Sequence, residues 1–180
     1  RASDVRGALP APALLRLEYE LWGYLAWGRL AGPAAGVTAG ATAGASGVAG
    51  EPPGPTDGLW RHTCMEAFIG DAPAGPYLEF NLAPGGRWAA YRFSGYRAGM
   101  APLTGIHPPR IELHRTPDRL LLAAQLDLPA TLAGAGSGAG LRLGIAAVVE
   151  NAQGQLSYWA PRHAGDRPDF HHPDSFCLEI

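Results

Sequence analysis

Leu15, Leu17, Tyr19 and Leu21 alternate with Arg16, Glu18 and Glu20 near the start of the chain, and this two-residue period recurs along its length. Ile111 and Leu113 alternate with Glu112 and His114, while Leu141, Leu143, Ile145, Ala147 and Val149 line one side of another run. Successive side chains of a strand point to opposite faces, so the pattern calls for strands with one face buried. Further candidates cover 76–82, 87–94, 119–128, 155–160 and 175–180. No segment carries a long 3.6-residue period, and 25 Gly and 17 Pro punctuate the chain with turns. Many short strands with Gly- and Pro-rich connections predict an all-β, antiparallel sandwich or barrel.

The 180 residues suffice for one domain with its own core, taken as 1–180. Within it, residues 31–57 carry two charges and no apolar side chain larger than Val. Such a segment cannot build a core, and ordering its many Gly residues is costly, so it reads as a flexible loop between two strands. The shorter stretch AGAGSGAG at 133–140 reads the same way. A net charge of −2 implies no basic face for nucleic acid. The apolar run from Leu14 to Leu30 is broken by Arg16, Glu18, Glu20 and Arg29, so it does not span a bilayer and no membrane partner is expected. Arg1 and Arg6 accompany Asp4 with no apolar run directly after them, which argues against a targeting segment. A cytoplasmic location is the resulting expectation, with Arg1 in place of Met leaving the N-terminus open. Cys64 and Cys177 are too few for a disulfide scaffold or a zinc ribbon and fit buried thiols in a reducing compartment, with a single bridge between them left open.

The stretch LWRHTCMEAF, 59–68, concentrates reactive side chains. Taken as a strand, it places Trp60, His62, Cys64 and Glu66 on one face and Thr63, Met65 and Ala67 on the other. In YLEFNLA, Leu78, Phe80 and Leu82 form the apolar side and Tyr77, Glu79 and Asn81 oppose them. RWAAYRFS follows the PGG turn, with Ala89, Tyr91 and Phe93 as its apolar side and Trp88, Ala90 and Arg92 opposite. With these strands as neighbours, one face is expected to gather Trp60, Glu66, Tyr77, Glu79, Asn81 and Arg92. Aromatic platforms beside planar polar groups suit sugar rings, whose C–H faces stack on indoles while their hydroxyls bond carboxylates, amides and guanidinium. A purely structural alternative is an Arg92 ion pair with Glu66 and Glu79 on a partly covered face.

DGLWRHTCMEAFI, YLEFNLAPGGRWAAYRFSGYRAGM and PDFHHPDSFCLEI together closely resemble bacterial DOMON-like proteins related to family 9 carbohydrate-binding modules. The resemblance runs from about Leu14 to Ile180, outside the two Gly/Ala loops, with Met65 standing where relatives usually carry Phe. It implies a β-sandwich of the jelly-roll kind and a superfamily divided between sugar-binding and haem-binding domains. In its sugar-binding members two Trp clamp a terminal sugar while acidic, amide and Arg side chains hold the hydroxyls. Trp60, Glu66 and Arg92 are similar to that pattern, Trp159 in LSYWAP matches the second Trp, and Asn151 is a weaker match to the nearby amide. The implied ligand set is Trp60, Glu66, Glu79, Asn81, Arg92 and Trp159, acting as a non-catalytic module for a small sugar or glycan end with no cofactor.

Other chemistries draw on the same residues. A metal site would use His62, Cys64 and Glu66 with His171 and His172, but these adjacent His aim poorly at one ion and equally serve as turn caps. Haem would need an axial pair such as Met100 with a His, whereas Met65 belongs to the apolar face. A glycosidase would use Glu66 and Glu79, expected about 5 Å apart on neighbouring strands, the spacing of a retaining pair. A Cys64–His171 nucleophilic pair has simpler structural readings. Trp22 and Trp27 read as packing aromatics, and an exposed sheet edge could instead recruit another protein. Excising most of 31–57 is expected to leave the thermal midpoint within a few degrees, because closure entropy depends only weakly on loop length. Loss of cooperative unfolding in a thermal melt of the excised protein would contradict this.

Overall fold

The structure, a computed structural model, describes residues 13–22, 54–72, 74–129, 132 and 140–180. Among these residues eleven strands follow in chain order. They are β1 (Ala13–Trp22), β2 (Gly54–Pro55), β3 (Cys64–Gly70), β4 (Tyr77–Leu82), β5 (Arg87–Phe93) and β6 (Ala101–Pro102). Then come β7 (Arg110–Arg115), β8 (Arg119–Leu128), β9 (Arg142–Glu150), β10 (Leu156–Trp159) and β11 (Leu178–Glu179). Short 3-10 turns occupy Leu59–Arg61 and Pro173–Ser175. Most of the expected strands form within a residue or two of their expected ends. The expected loop at 31–57 lies largely outside the described residues, as does most of 133–140. The end of the first, at Gly54–Pro55, is a strand that pairs parallel with β5.

Two sheets pack face to face as an all-β sandwich. The smaller has the order β1-β8-β7, and the larger runs β10-β9-β3-β4-β5-β2, with β11 on β9 and β6 on β5. Apart from β2 the pairings are antiparallel. In β8, Leu120, Leu122, Ala124, Leu126 and Leu128 turn inward while the residues between them are half-buried. They meet Met65, Ile69, Phe80 and Leu82 from the larger sheet. From β1, Tyr19 crosses this layer and donates its hydroxyl to the backbone carbonyl of Glu66 at 2.7 Å. A buried phenol needs such a partner, and here it ties the smaller sheet to the strand that carries Glu66.

The larger sheet departs from the one-face-buried expectation at its centre, because every residue of β3 and β4 is buried. A second apolar cluster covers the far face, where Cys64, Phe68, Tyr77, Tyr91 and Phe93 pack with Phe170 and Phe176 from the C-terminal segment. Gly144 permits this cover, since a Cβ there would stand 3.0 Å from the Ser175 carbonyl oxygen. Tyr77 stacks on Phe93 with ring centres 4.7 Å apart and planes 6° from parallel.

Two expectations about faces are corrected. Trp60 and His62 do not extend the strand of Glu66, because Gly58, at φ 77°, opens a 3-10 turn over Leu59–Arg61 and β3 begins at Cys64. Arg92 does not share a face with Glu79. The hairpin turn is closed by Gly86 N–H donating to Ala83 O, with Gly86 at φ 79°, and it pairs Glu79 with Tyr91 and Leu78 with Arg92. Odd-numbered residues of β4 therefore meet odd-numbered residues of β5, and Ala89, Tyr91 and Phe93 join the Glu79 face. With both faces apolar, hydrophobicity alone does not distinguish them, and the turn geometry sets the register.

Leu122→Ala is expected to destabilise the fold by about 3 kcal/mol, because it empties a fully enclosed site between the sheets. Leu14→Ala, at a largely exposed position, should cost less than about 0.5 kcal/mol. Urea unfolding of the two variants would show equal losses only if the inter-sheet layer were not the core.

Candidate functional site

A cleft of about 390 Å³ opens on the far face of the larger sheet. Its floor is Glu66 from β3 and Glu79 from β4, with Val148 of β9 beside them. Trp60, Phe93, Tyr158 and Phe170 supply aromatic walls, and Arg97, Met100 and His171 complete the lining. Trp60 comes from the 3-10 turn and is steadied edge-on by Tyr91 at 5.8 Å. The Tyr91 hydroxyl is in turn bonded to the Asp57 carboxylate, which anchors the segment leading into that turn.

Glu66 pairs across the sheet with Asn81, and Phe68 with Glu79, so the two carboxyls are diagonal neighbours rather than directly opposite. Diagonal positions stand about 7 Å apart, wider than the 5 Å expected of a facing pair. Glu66 and Glu79 are each only 4% exposed. Burial, followed by the neighbouring charge of Glu79, pushes the Glu66 carboxyl up to about 8, with Arg97 acting against both. Burial likewise raises Glu79 to about 7, opposed by a hydrogen bond from Asn81 and by Arg97. Desolvation disfavours a carboxylate, and a second carboxylate nearby adds to that cost. Asn81 is fully enclosed and donates Nδ2 to Glu79 Oε1 at 2.7 Å. Cys64 lies behind it as a free buried thiol, its Sγ 3.7 Å from Asn81 Oδ1, and burial pushes its titration well up.

Arg97 stands in a tight turn after β5, at φ 52°, between Gly95 and Ala98. Gly99 follows at φ 62°, where any Cβ would collide with Ser94 Oγ. The guanidinium donates Nε and Nη2 to Asp169 Oδ1 at 3.2 and 2.8 Å, and Tyr96 donates its hydroxyl to Oδ2 at 2.5 Å. Burial works against the Asp169 carboxylate, but these bonds outweigh it and hold its titration below the usual range. The clamp pins the C-terminal segment over the sheet and so positions His171.

His171 Nδ1 lies 2.7 Å from the Tyr77 hydroxyl, which accepts the Arg97 backbone N–H at 3.3 Å. Tyr77 can then donate to Nδ1, leaving the proton on Nε2, which faces Glu79 Oε2 at 3.8 Å. Burial and then the Arg97 charge bring the imidazole down to about 4, so it is neutral at ordinary pH. Burial also pushes the Tyr77 phenol up to about 12.

Of the six residues expected to bind ligand, Trp60, Glu66 and Glu79 line the cleft and Asn81 supports Glu79 from beneath. Arg92 and Trp159 are not brought there. Arg92 lines a separate groove with Leu78, Leu103 and Thr104 on the inter-sheet side of β5. Trp159 pairs with Ala147, whereas Tyr158 pairs with Val148 on the cleft face, so alternation along β10 sends Trp159 the other way, 61% exposed. Asn151 caps its own turn through Oδ1 to the N–H groups of Gln153 and Gln155. Arg97, Tyr158 and His171 line the cleft although none belongs to the ligand set that the resemblance implies, His171 having been weighed only for a metal or a nucleophilic pair. The signal for Arg97 was the SGYRAGM turn, and for Tyr158 its place one residue from the Trp that was chosen. Among the described residues no group of three or more His, Cys, Asp or Glu is arranged to hold a metal, and His62 instead contacts Glu150 at 2.7 Å. Among them, too, no helix is long and apolar enough to cross a membrane.

No protein-family model matches this sequence, and no curated protein matches it either. A solved structure does. It is of a protein from Bacteroides uniformis proposed to bind carbohydrate, with a TM-score of 0.47 and 14% identity over 91% of this chain and 70% of that one.

The raised carboxyls give stability a definite pH dependence. Between 4.5 and about 7 to 8, the folded protein holds protons on Glu66 and Glu79 that the unfolded chain has lost. Their contribution is complete below 4.5 and disappears as pH climbs through about 7 and 8. His171 has the opposite sign between about 4 and 6.5, where the unfolded chain binds the extra proton. The carboxyl effect is therefore read most cleanly above 6.5. Urea midpoints should fall from pH 6.5 to 8, and Glu66→Gln should flatten that slope; a wild-type midpoint that rises over this range would refute the assignment.

Proposed function

We propose that the cleft is a non-catalytic carbohydrate site for a small sugar or glycan end, in a single bacterial DOMON-like domain of the jelly-roll kind. The observation that carries this reading is the placement of Trp60 and Tyr158 as aromatic walls over a floor of Glu66 and Glu79, with Arg97 at the side. A pyranose is amphipathic in the same way. Its C–H faces pack on aromatic rings, and its hydroxyls donate to carboxylates or accept from acids and guanidinium. The volume of about 390 Å³ suits one or two sugar rings, and the open mouth suits a chain end. The sequence resemblance to sugar-clamping modules adds support through Trp60 and Glu66. Tyr158 takes the part first assigned to Trp159, and Arg97 the part first assigned to Arg92.

Binding is favoured over hydrolysis because Glu66 and Glu79 rise from one floor, as diagonal neighbours of adjacent strands. A hydrolase needs its two carboxyls to flank the scissile bond. A haem reading would use Met100 and His171, which share the cleft lining. His171 suits that poorly, because Tyr77 occupies one ring nitrogen and the other faces Glu79.

Calorimetry against a panel of mono- and oligosaccharides tests the proposal. Single-site affinity should be modest, since each stacked ring and each solvent-competed hydrogen bond contributes only about 1 kcal/mol. Trp60→Ala and Tyr158→Ala should each weaken binding about fivefold while the thermal midpoint stays near wild type, because each removes one stacking wall. Trp159→Ala should leave affinity unchanged. A panel without a single hit, or loss of binding in Trp159→Ala alone, would refute this site.

A further inference from the structure

The floor of the cleft carries acidity that a neutral sugar does not need. Glu66 is 96% enclosed by the protein, as its 4% exposure implies, yet it lines the cleft, and its side chain makes no hydrogen bond among the described residues. Glu79 has one oxygen occupied by Asn81 and the other free toward His171, too distant at 3.8 Å for a hydrogen bond. The charges nearby are committed elsewhere. Arg97 gives two donors to Asp169, and His171 is neutral and held by Tyr77. Cys64, Tyr77 and Tyr91 also face this floor, and burial keeps all three uncharged.

Two enclosed carboxyls that no Arg among the described residues bonds directly, under four aromatic rings, describe a receptor for positive charge. The faces of Trp60, Phe93, Tyr158 and Phe170 can attract an ammonium while the carboxylates accept its N–H groups. On the reading of this cleft as a sugar site, we infer that its preferred ligand carries a protonated primary amine, as an unacetylated amino sugar does. The ammonium sits on Glu66 and Glu79 and supplies a counter-charge in direct contact, where Arg97, bonded to Asp169, acts on them only from a distance. Acetylation removes both that charge and two of the donors. Neutral sugars remain weaker ligands, because protonated carboxyls still bond hydroxyls. Since burial keeps both acids protonated in the empty cleft up to about 7 and 8, ammonium binding must expel protons.

The test is calorimetry at about pH 6, below both carboxyl transitions, with glucosamine, glucose and N-acetylglucosamine, alongside amino and neutral versions of any panel sugar that binds. The amine form should bind roughly tenfold tighter than its neutral partner, the scale of a charge-assisted hydrogen bond. Heats in buffers of different ionisation enthalpy should show proton release for the amine and none for the neutral sugar. In Glu66→Gln, and separately in Glu79→Gln, the amine-to-neutral affinity ratio should fall toward one and the proton release should shrink. The second variant guards against misfolding of the first. Equal affinity for amine and neutral forms, or binding without proton release, overturns the inference and leaves the sugar cleft standing. Binding of neither form by any sugar overturns both.

Discussion

With apolar layers on both sides of β3 and β4, any polar side chain on those strands loses water and must find a partner within the protein or in a ligand. Everything distinctive about this molecule follows from that. The inner layer joins the two sheets through β8 and the Met65, Ile69, Phe80 and Leu82 side chains. The outer layer is made by the C-terminal segment, whose Phe170 and Phe176 reach the sheet over Gly144. That outer cover stops short of Glu66 and Glu79, and the gap is the cleft.

The polar groups on the far face then sort by how well they are satisfied. Asn81 is fully enclosed and bonded to Glu79, so it acts as support. Tyr77 and His171 satisfy each other, and the Arg97–Asp169–Tyr96 cluster satisfies itself while holding the cover in place. Glu66 is the exception, its carboxyl enclosed but without a hydrogen bond among the described residues. A group left in that state by the fold raises the question of what completes it, and the cleft in front of it is where an answer can enter. Stability and binding are coupled here. The burial that raises both carboxyl transitions is the same burial that strengthens any charge-assisted contact a ligand makes with them.

The alternating runs at 15–21, 111–114 and 141–149 made the strands legible, because a half-buried strand writes its two faces into the sequence as a two-residue period. β8 appears with its expected ends, Arg119–Leu128, since its inward Leu residues are separated by side chains that tolerate partial exposure. Glu66 and Glu79 stood out by their place on the polar side of their strands, and both line the cleft. Arg92 and Trp159 were misplaced where that signal fails. β5 has apolar residues on both faces, so parity assigned from hydrophobicity had no asymmetry to read. Trp159 was assigned from the family resemblance, and β10, exposed throughout, carries no apolar period to show that Tyr158 faces the cleft instead.

By itself, then, the sequence determined the all-β class and most of the strand positions, because each depends on local periodicity and on residues near in the chain. Only the tertiary structure decided which side chains share the cleft. That choice rests on the Ala83–Gly86 turn setting the register of β5, on the 3-10 turn that lifts Trp60 out of β3, and on a contact between Arg97 and Asp169 across 72 residues of chain. Such long-range pairings leave no periodic trace, since each is made by folding two distant segments onto the same sheet face.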